Sequence, residues 1–529
     1  MTGTATLLRF LLRRDRVWLS LWLAGITAMA FYVAHAVQTV ASDTTELAEL
    51  GALIDDPVGR MMTGPGFGLD EPTFERFFSA GYVLFIYLLI ALMSQFLVVR
   101  HTRAEEQAGR AELIRSNVTG HHATLSAALA LALGANLVLG VLVAVAALSA
   151  GFALTGSVLV ALGGVLTGCL FATVAAVTAQ LTEHSRGANA LAGAVLALAY
   201  VIRMGGDMPE PGGSGLSWFS PLAWSQQTAP YVLDRWWPLL PLLLGTVLLA
   251  ALAYRLSLRR DIGAGLLPVR PGRPEARPRL GTPVGVAHRT LRGALCAWAI
   301  GLFLAGLMFG AYADALIDAA DSLPPEIRMI MPGEDLMLGY LAYMALFTAL
   351  FVAATGVTAI QQLRTEENRG RVGLLLSVPL GRATWLGAHL LVLFLGLALI
   401  LVLTGLGTAL GATVVLGHGE HFADILLASI HQAPAVLALV GLVVALFGWL
   451  PRAAGPVGWL LVVFALIVEN FGDMLDLPDL LLDLSLFHHL SAYPVDDVAW
   501  GPVLVLSAIG LAGLALGMTG WRHREVNRV

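Results

Sequence analysis

Twelve apolar runs, each close to the length that crosses a bilayer, constrain this chain more than anything else in it. About 20 apolar residues are what a helix needs to span roughly 30 Å of hydrocarbon. No water satisfies the backbone at that depth, so each run must close its hydrogen bonds within itself. The runs fall near 17–37, 78–99, 123–150, 157–182, 188–204 and 236–256, then near 291–313, 337–360, 384–413, 434–451, 454–470 and 499–520. Only 13% of the 529 residues are charged, with a mean hydropathy of +0.78. Soluble domains carry about 25% charged residues. The chain therefore reads as an all-α polytopic membrane protein with about 12 transmembrane helices.

The second constraint is an internal repeat about 261–266 residues apart. Arg103-Ala-Glu105-Glu106-Gln-Ala-Gly109-Arg110-Ala-Glu-Leu113 returns as Arg364-Thr-Glu366-Glu367-Asn-Arg-Gly370-Arg371-Val-Gly-Leu374. Gly206-Asp207-Met208 returns as Gly472-Asp473-Met474, and Ser220-Pro-Leu-Ala-Trp224 faces Ser485-Leu-Phe-His-His489. A repeat of this period in hydrophobic sequence predicts two pseudo-symmetric six-helix halves fused in one polypeptide. The halves are expected at 1–257 and 291–529, joined by a Pro/Arg-rich linker at 258–290 whose composition favours an extended connector on the cytoplasmic side.

Arginine sets the topology. The 31 basic residues are all Arg. They gather at 9–16, 100–115, 255–292, 364–382, 452 and 522–528, while the loops between are acidic, as from Asp43 to Glu75, Asp314 to Asp335 and Asp473 to Asp497. The positive-inside rule then puts both termini and the Arg-rich loops in the cytoplasm, in a plasma or inner membrane. The stretch Met1–Arg16 lacks a small-residue cleavage site and reads as a retained segment, its basic amphipathic part lying in the interface plane. A Walker A loop needs Lys at the β/γ-phosphates, so a chain without Lys carries no standard ATPase site of that kind. Cys169 and Cys296 both fall in spans, where they read as buried small apolar residues with no disulfide framework.

Few residues carry candidate chemistry. In the duplicated segment Arg103 and Glu106, and Arg364 and Glu367, are i,i+3 neighbours on a helix. Either the helix is simply solvated along the membrane face, or it is one of two equivalent docking helices for a partner with two equivalent subunits. Arg203 and Glu469 stand three residues before each Gly-Asp-Met, at the outward ends of spans where a charge needs a partner or water. They read as a possible outer gate pair, or as two side chains that snorkel outward. His418-Gly-Glu420-His421 offers no third ligand for zinc, so no metal site is expected, and no catalytic constellation appears.

The segment Glu366-Glu-x-x-Gly-Arg371, followed by Leu374-Leu-Leu-Ser377-Val-Pro379-Leu-Gly381-Arg382, resembles the coupling region of ABC exporter permeases, in particular the fused double-length permeases of the polyketide-antibiotic (tetronasin-type) exporters of actinobacteria. The first copy lacks the Pro and the final Arg, reading Ile114-Arg-Ser-Asn-Val-Thr-Gly120-His-His122. The resemblance covers essentially the whole chain. It implies a type V exporter fold, with Thr4–Arg16 as a connecting helix and Arg103–Leu113 and Arg364–Leu374 as coupling helices. It further implies Gly205–Tyr231 and Gly472–Asp497 as outward segments. A homodimer of a separate cytoplasmic ATPase, two copies per chain, would sit on Arg103, Glu105, Glu106, Gly109 and Arg110 and on Arg364, Glu366, Glu367, Gly370 and Arg371. ATP and magnesium would belong to that partner, with no cofactor and no enzymatic step in this chain.

On this reading the chain is the permease subunit of an exporter of hydrophobic or amphipathic compounds such as antibiotics or drugs. The expected cavity walls are Tyr82, Phe85 and Tyr200 in one half and Tyr343, Phe347 and Phe464 in the other. The alternatives are a lipid or glycolipid exporter and an ion-gradient-driven secondary multidrug transporter. The latter would need carboxylates at mid-depth, and the spans are nearly free of them.

Overall fold

The structure is a computed structural model that describes residues 2–40, 44–267, 274–313, 336–472 and 477–525. The acidic loop 314–335, residues 473–476 of the second Gly-Asp-Met region and linker residues 268–273 lie outside the described residues. The chain divides into two compact units, Met1–Gly272 and Arg273–Val529. Among the described residues every regular element is helical. Eleven helices are long and apolar enough to cross a membrane, and an 18-residue helix at Ala454–Phe471 is a shorter twelfth.

The first unit runs α1 (Thr4–Arg14), α2 (Arg16–Val40), α3 (Thr44–Asp55), α4 (Pro57–Thr63), α5 (Phe74–Gly81), α6 (Val83–His101), α7 (Arg103–Gln107), α8 (Arg110–Arg115), α9 (Ala123–Ser149), α10 (Leu154–Leu181), α11 (Ser185–Asp207), α12 (Pro221–Gln226) and α13 (Leu239–Ser257). Its core forms around α10, the most enclosed span, which packs on α6, α9 and α13. Polar side chains cross-link these spans, as hydrogen bonds between helices can where no water competes. Tyr87 OH donates to the Val160 carbonyl at 3.0 Å, Ser94 Oγ to Asn136 Oδ1 at 3.1 Å and Gln95 Nε2 to the Ala192 carbonyl at 3.1 Å.

The second unit runs α14 (Pro283–Ala311), α15 (Leu336–Asn368), α16 (Arg371–Leu376), α17 (Arg382–Leu416), α18 (Phe422–His431), α19 (Ala433–Trp449), α20 (Ala454–Phe471), α21 (Asp479–Leu482) and α22 (Trp500–His523). Here helices meet backbone to backbone. Gly306 and Gly310 of α14 lie on the Thr404 and Thr408 carbonyls of α17, and Gly407 and Gly411 of α17 return the contact on Phe303 and Leu307. Gly441 and Gly448 of α19 meet Gly510 and Gly517 of α22 in the same way. Small residues at such crossings let helices approach and gain dispersion contacts.

Three expectations change. The connector 258–290 is not extended throughout. Its first part folds back on the first unit, where Leu266 and Leu267 N–H groups donate to the Gln180 and Leu181 carbonyls. Its last part opens α14, whose N-cap Thr282 accepts from Gly285 N. The fourth span of the second half starts at Phe422 and is interrupted at Gln432, so its apolar length exceeds the run read at 434–451. Cys169 is buried, but Cys296 is exposed on α14, a helix with few buried residues.

Candidate functional site

The duplicated motif folds into an elbow, not into one continuous helix. In both halves a helix ends at the motif glycine, which takes a left-handed conformation, with φ of 74° at Gly109 and 71° at Gly370. Glycine is favoured at that position because an L side chain is strained there. Each glycine N–H returns to the carbonyl of the motif's second Glu, at 3.0 Å to Glu106 and 2.9 Å to Glu367. A second short helix, α8 or α16, then leaves in a new direction.

The turn explains the spacing of the charges. The second Glu pairs back with the first Arg one helical turn earlier, Arg103 with Glu106 at 2.9 Å and Arg364 with Glu367 at 2.8 Å. The first Glu pairs forward across the glycine, Glu105 with Arg110 at 2.7 Å and Glu366 with Arg371 at 2.9 Å. All ten candidate coupling residues are thus brought together as five in each unit. Glu105 raises the pKa of Arg110 by hydrogen-bonding its charged form. Beyond each elbow an apolar residue stands in the open, with Leu113 71% and Leu374 74% exposed.

Sequence reasoning missed the arginines that reach the elbows from elsewhere. Arg260, just past α13, forks onto Glu106 with Nη2 at 2.6 Å from Oε1 and Nη1 at 2.7 Å from Oε2. Arg524, just past α22, donates Nη2 to Glu367 Oε2 at 2.7 Å. A signal was present, because Arg260-Asp261 and Arg524-Glu525 repeat directly after the last span of each half. In the first unit Arg14 at the end of α1 also reaches Glu105 at 2.8 Å. Beside it the buried Asp15 joins His101 Nε2 at 2.6 Å and Arg100 at 3.1 Å. The connecting helix and the first elbow therefore form one polar cluster.

The other predicted residues lie apart from the elbows. Arg203 is fully buried and pairs with Asp207 of its own helix at 3.1 Å, while its Nη2 donates to the Met61 carbonyl and Nη1 to Arg60 O at 3.4 Å. Asp207 also accepts from Ser217, and Arg60 donates to the Asp207 and Met208 carbonyls at 3.2 and 3.0 Å. This cluster clamps the short helices α3–α4 onto the end of α11. Burial pushes Asp55, at the end of α3, above the usual carboxylate range against the pull of Arg60. Glu469 accepts from Ser485 Oγ within the second unit.

Of the aromatic candidates, Tyr200 donates to the Met62 carbonyl at 3.2 Å and lies under the Arg203 guanidinium, so it belongs to this cluster. Tyr343 donates to Asn470 Oδ1, and Phe347 sits between Phe309 and Phe351 at ring-centroid distances of 6.0 and 5.2 Å. Tyr82 stacks obliquely on Phe77 at 6.1 Å. Phe85 and Phe464 are half-buried span residues.

Two multi-span helical units, each with an ion-paired elbow after its second span, define a multi-pass membrane protein of the permease class. The chain belongs to the family of multidrug efflux system permeases represented by Rv1217c. It is 37% identical over 533 residues to the multidrug efflux system permease protein Rv1217c of Mycobacterium tuberculosis, covering 99% of this chain and 95% of that protein. Residues 280–522 match the family described as the C-terminal domain of multidrug efflux system permease Rv1217c.

Proposed function

We propose that this chain is the membrane subunit of an ATP-binding-cassette exporter that moves hydrophobic or amphipathic compounds, drugs and antibiotics among them, out of the cell. Two copies of a separate ATPase subunit, carrying ATP and magnesium, dock on the two elbows. The observation that carries the reading is the duplicated elbow itself. The same glycine turn and the same two ion pairs recur after the second span of each half, with an apolar residue exposed beyond the bend. Two equivalent sockets on one chain suit a partner with two equivalent subunits. The multidrug efflux relative supports the cargo class, and the resemblance of the coupling region to tetronasin-type permeases of type V fold supports the power source.

Residues Tyr82, Phe85, Tyr343, Phe347 and Phe464 are proposed to line the cargo path, since apolar cargo needs few directed polar contacts. The experiment is co-purification of the tagged full-length chain with a co-expressed ABC ATPase subunit from the same organism. Wild type should retain the ATPase, while exchanging Leu113 and Leu374 together for Asp should release it. Reconstituted protein that moves a hydrophobic dye on a proton gradient, with no ATPase present, would sink the proposal in favour of a secondary transporter.

A further inference from the structure

Each elbow is tied not only to the span that leads into it but also to the last span of its own half. The ties come in two kinds, and both recur. The first is the arginine beyond the last span. Arg260 follows the end of α13 at Ser257 and grips Glu106 with both terminal guanidinium nitrogens, while its Nε donates to Gln180 Oε1 at 2.6 Å. Arg524 follows the end of α22 at His523 and holds Glu367. The second tie comes from the chain just past the elbow. The His121 ring nitrogen meets the Ser257 carbonyl at 3.1 Å, and in the other half Arg382 Nη1 donates to the Arg524 and Arg522 carbonyls at 2.8 and 3.3 Å.

The two halves build these ties from different surroundings. Around Glu106 the partners are polar, including Arg103, which in turn donates to the Ala179 and Ala264 carbonyls. Around Glu367 the arginine is held by aromatic faces, with Arg524 5.0 Å from the Phe447 ring centre and 4.7 Å from that of Trp521. Trp521 is itself buried and donates to the Arg382 carbonyl at 3.0 Å. Side chains of different kinds thus arrive at one mechanical arrangement, an acidic elbow closed by an arginine from beyond the sixth span. Both contacts are largely shielded from water, where a charge-assisted hydrogen bond is stronger and screened less by salt.

We infer that Arg260 and Arg524 are positioning residues that yoke the sixth span of each half to its elbow, so that a displacement of the elbow moves the second and sixth spans as one body. The inference rests on the docking reading above, because something must displace the elbow. It adds which helices receive the displacement. Without the two arginines, only the His121 and Arg382 contacts would still join each elbow region to its sixth span.

The test uses the full-length chain co-purified with its ATPase in nanodiscs, with the two native cysteines replaced by Ser. Spin-label pairs at Leu113 and Leu258, and at Leu374 and Arg522, report elbow-to-sixth-span distance within each half, without nucleotide and with ADP and vanadate trapped on the ATPase after ATP hydrolysis. In wild type each distance should stay within about 2 Å between the two states. Arg524→Ala should release the second pair and Arg260→Ala the first, while the amount of ATPase retained stays the same and permease-stimulated ATP hydrolysis falls about five-fold. Arg524→Lys should restore the second pair, since a single contact to Glu367 suffices, whereas Arg260→Lys loses the two-pronged grip and should restore the first only in part. Retained ATPase with distances that change in wild type, or that stay fixed in the alanine variants, overturns the yoke and leaves docking intact. Failure of wild type to retain any ATPase overturns docking and the yoke with it.

Discussion

The two elbows carry the same motif and the same internal ion pairs, yet they are seated differently. In the first half the lead-in helix stops at His101 and the chain pivots at Thr102 before α7 begins. The loss of continuity is offset by a dense polar seat, in which Arg103 is fully buried on carbonyls and Glu105 holds both Arg110 and Arg14. In the second half a single 33-residue helix runs from the membrane to Asn368, directly into the turn. That elbow needs no seat to hold its direction. Arg364 is 28% exposed, and Arg371, the partner of Glu366, is 52% exposed. One half fixes its elbow by electrostatics and the other by helix continuity, and equal motifs therefore need not be equally sensitive to mutation.

The spans differ in a parallel way, and the largest expected effect comes from there. Gly411→Leu would drive a side chain into the Leu307 carbonyl of α14, where even a Cβ would lie 2.1 Å from the oxygen. Since ordinary overpacking costs about 1–3 kcal/mol and this contact is with rigid backbone, folded yield measured by size-exclusion chromatography should collapse. Gly134→Leu in the first half meets nothing within 4 Å and should leave yield unchanged. Equal losses from both would break the contrast in packing.

Next come the motif arginines. Arg103→Ala should cost about 3 kcal/mol, because it breaks a buried ion pair and strands the buried Ala179 carbonyl, whereas Arg364→Ala should cost at most about 1 kcal/mol, because Arg364 is partly exposed and Glu367 keeps Arg524 as its partner. Thermal unfolding of the two variants in detergent measures the gap, and similar midpoints would remove the electrostatic seat from the account. Gly109→Ala and Gly370→Ala form the internal control. Neither glycine has a neighbour for a Cβ to strike, so both should pay only the left-handed backbone cost of about 1 kcal/mol, and pay it equally. The smallest effect belongs to Arg14→Ala. Its guanidinium is 29% exposed, so less than about 1 kcal/mol is expected, together with easier proteolysis of the α1 end.

Much of this was legible in the residues themselves. The apolar runs place the spans because a bilayer leaves the backbone no alternative to a helix; among the described residues eleven of the twelve are long enough to span, and the run at 454–470 forms a shorter helix. The Arg-Glu-Glu-Gly-Arg repeat identified the ten elbow residues, but not the bend, which depends on the glycine adopting positive φ. The i,i+3 pairs were readable from helical spacing, whereas the i,i+5 pairs exist only because the turn brings Arg110 and Arg371 back over Glu105 and Glu366. Arg203 shows the same limit. Its burial follows from its place near hydrocarbon, but its partners Asp207, Arg60 O and Met61 O combine a neighbour one turn away with a short helix more than a hundred residues earlier.

By itself, then, the sequence determined a membrane-embedded, all-helical, duplicated chain with two charged motifs, because hydrophobic run length and residue spacing are local properties that bilayer physics converts directly into helices. Only the tertiary structure decided how those motifs are held. The grip of Arg260 on Glu106 and of Arg524 on Glu367 spans 154 and 157 residues. No local rule encodes a contact between the second and the sixth helix of a bundle, which depends on how those helices pack.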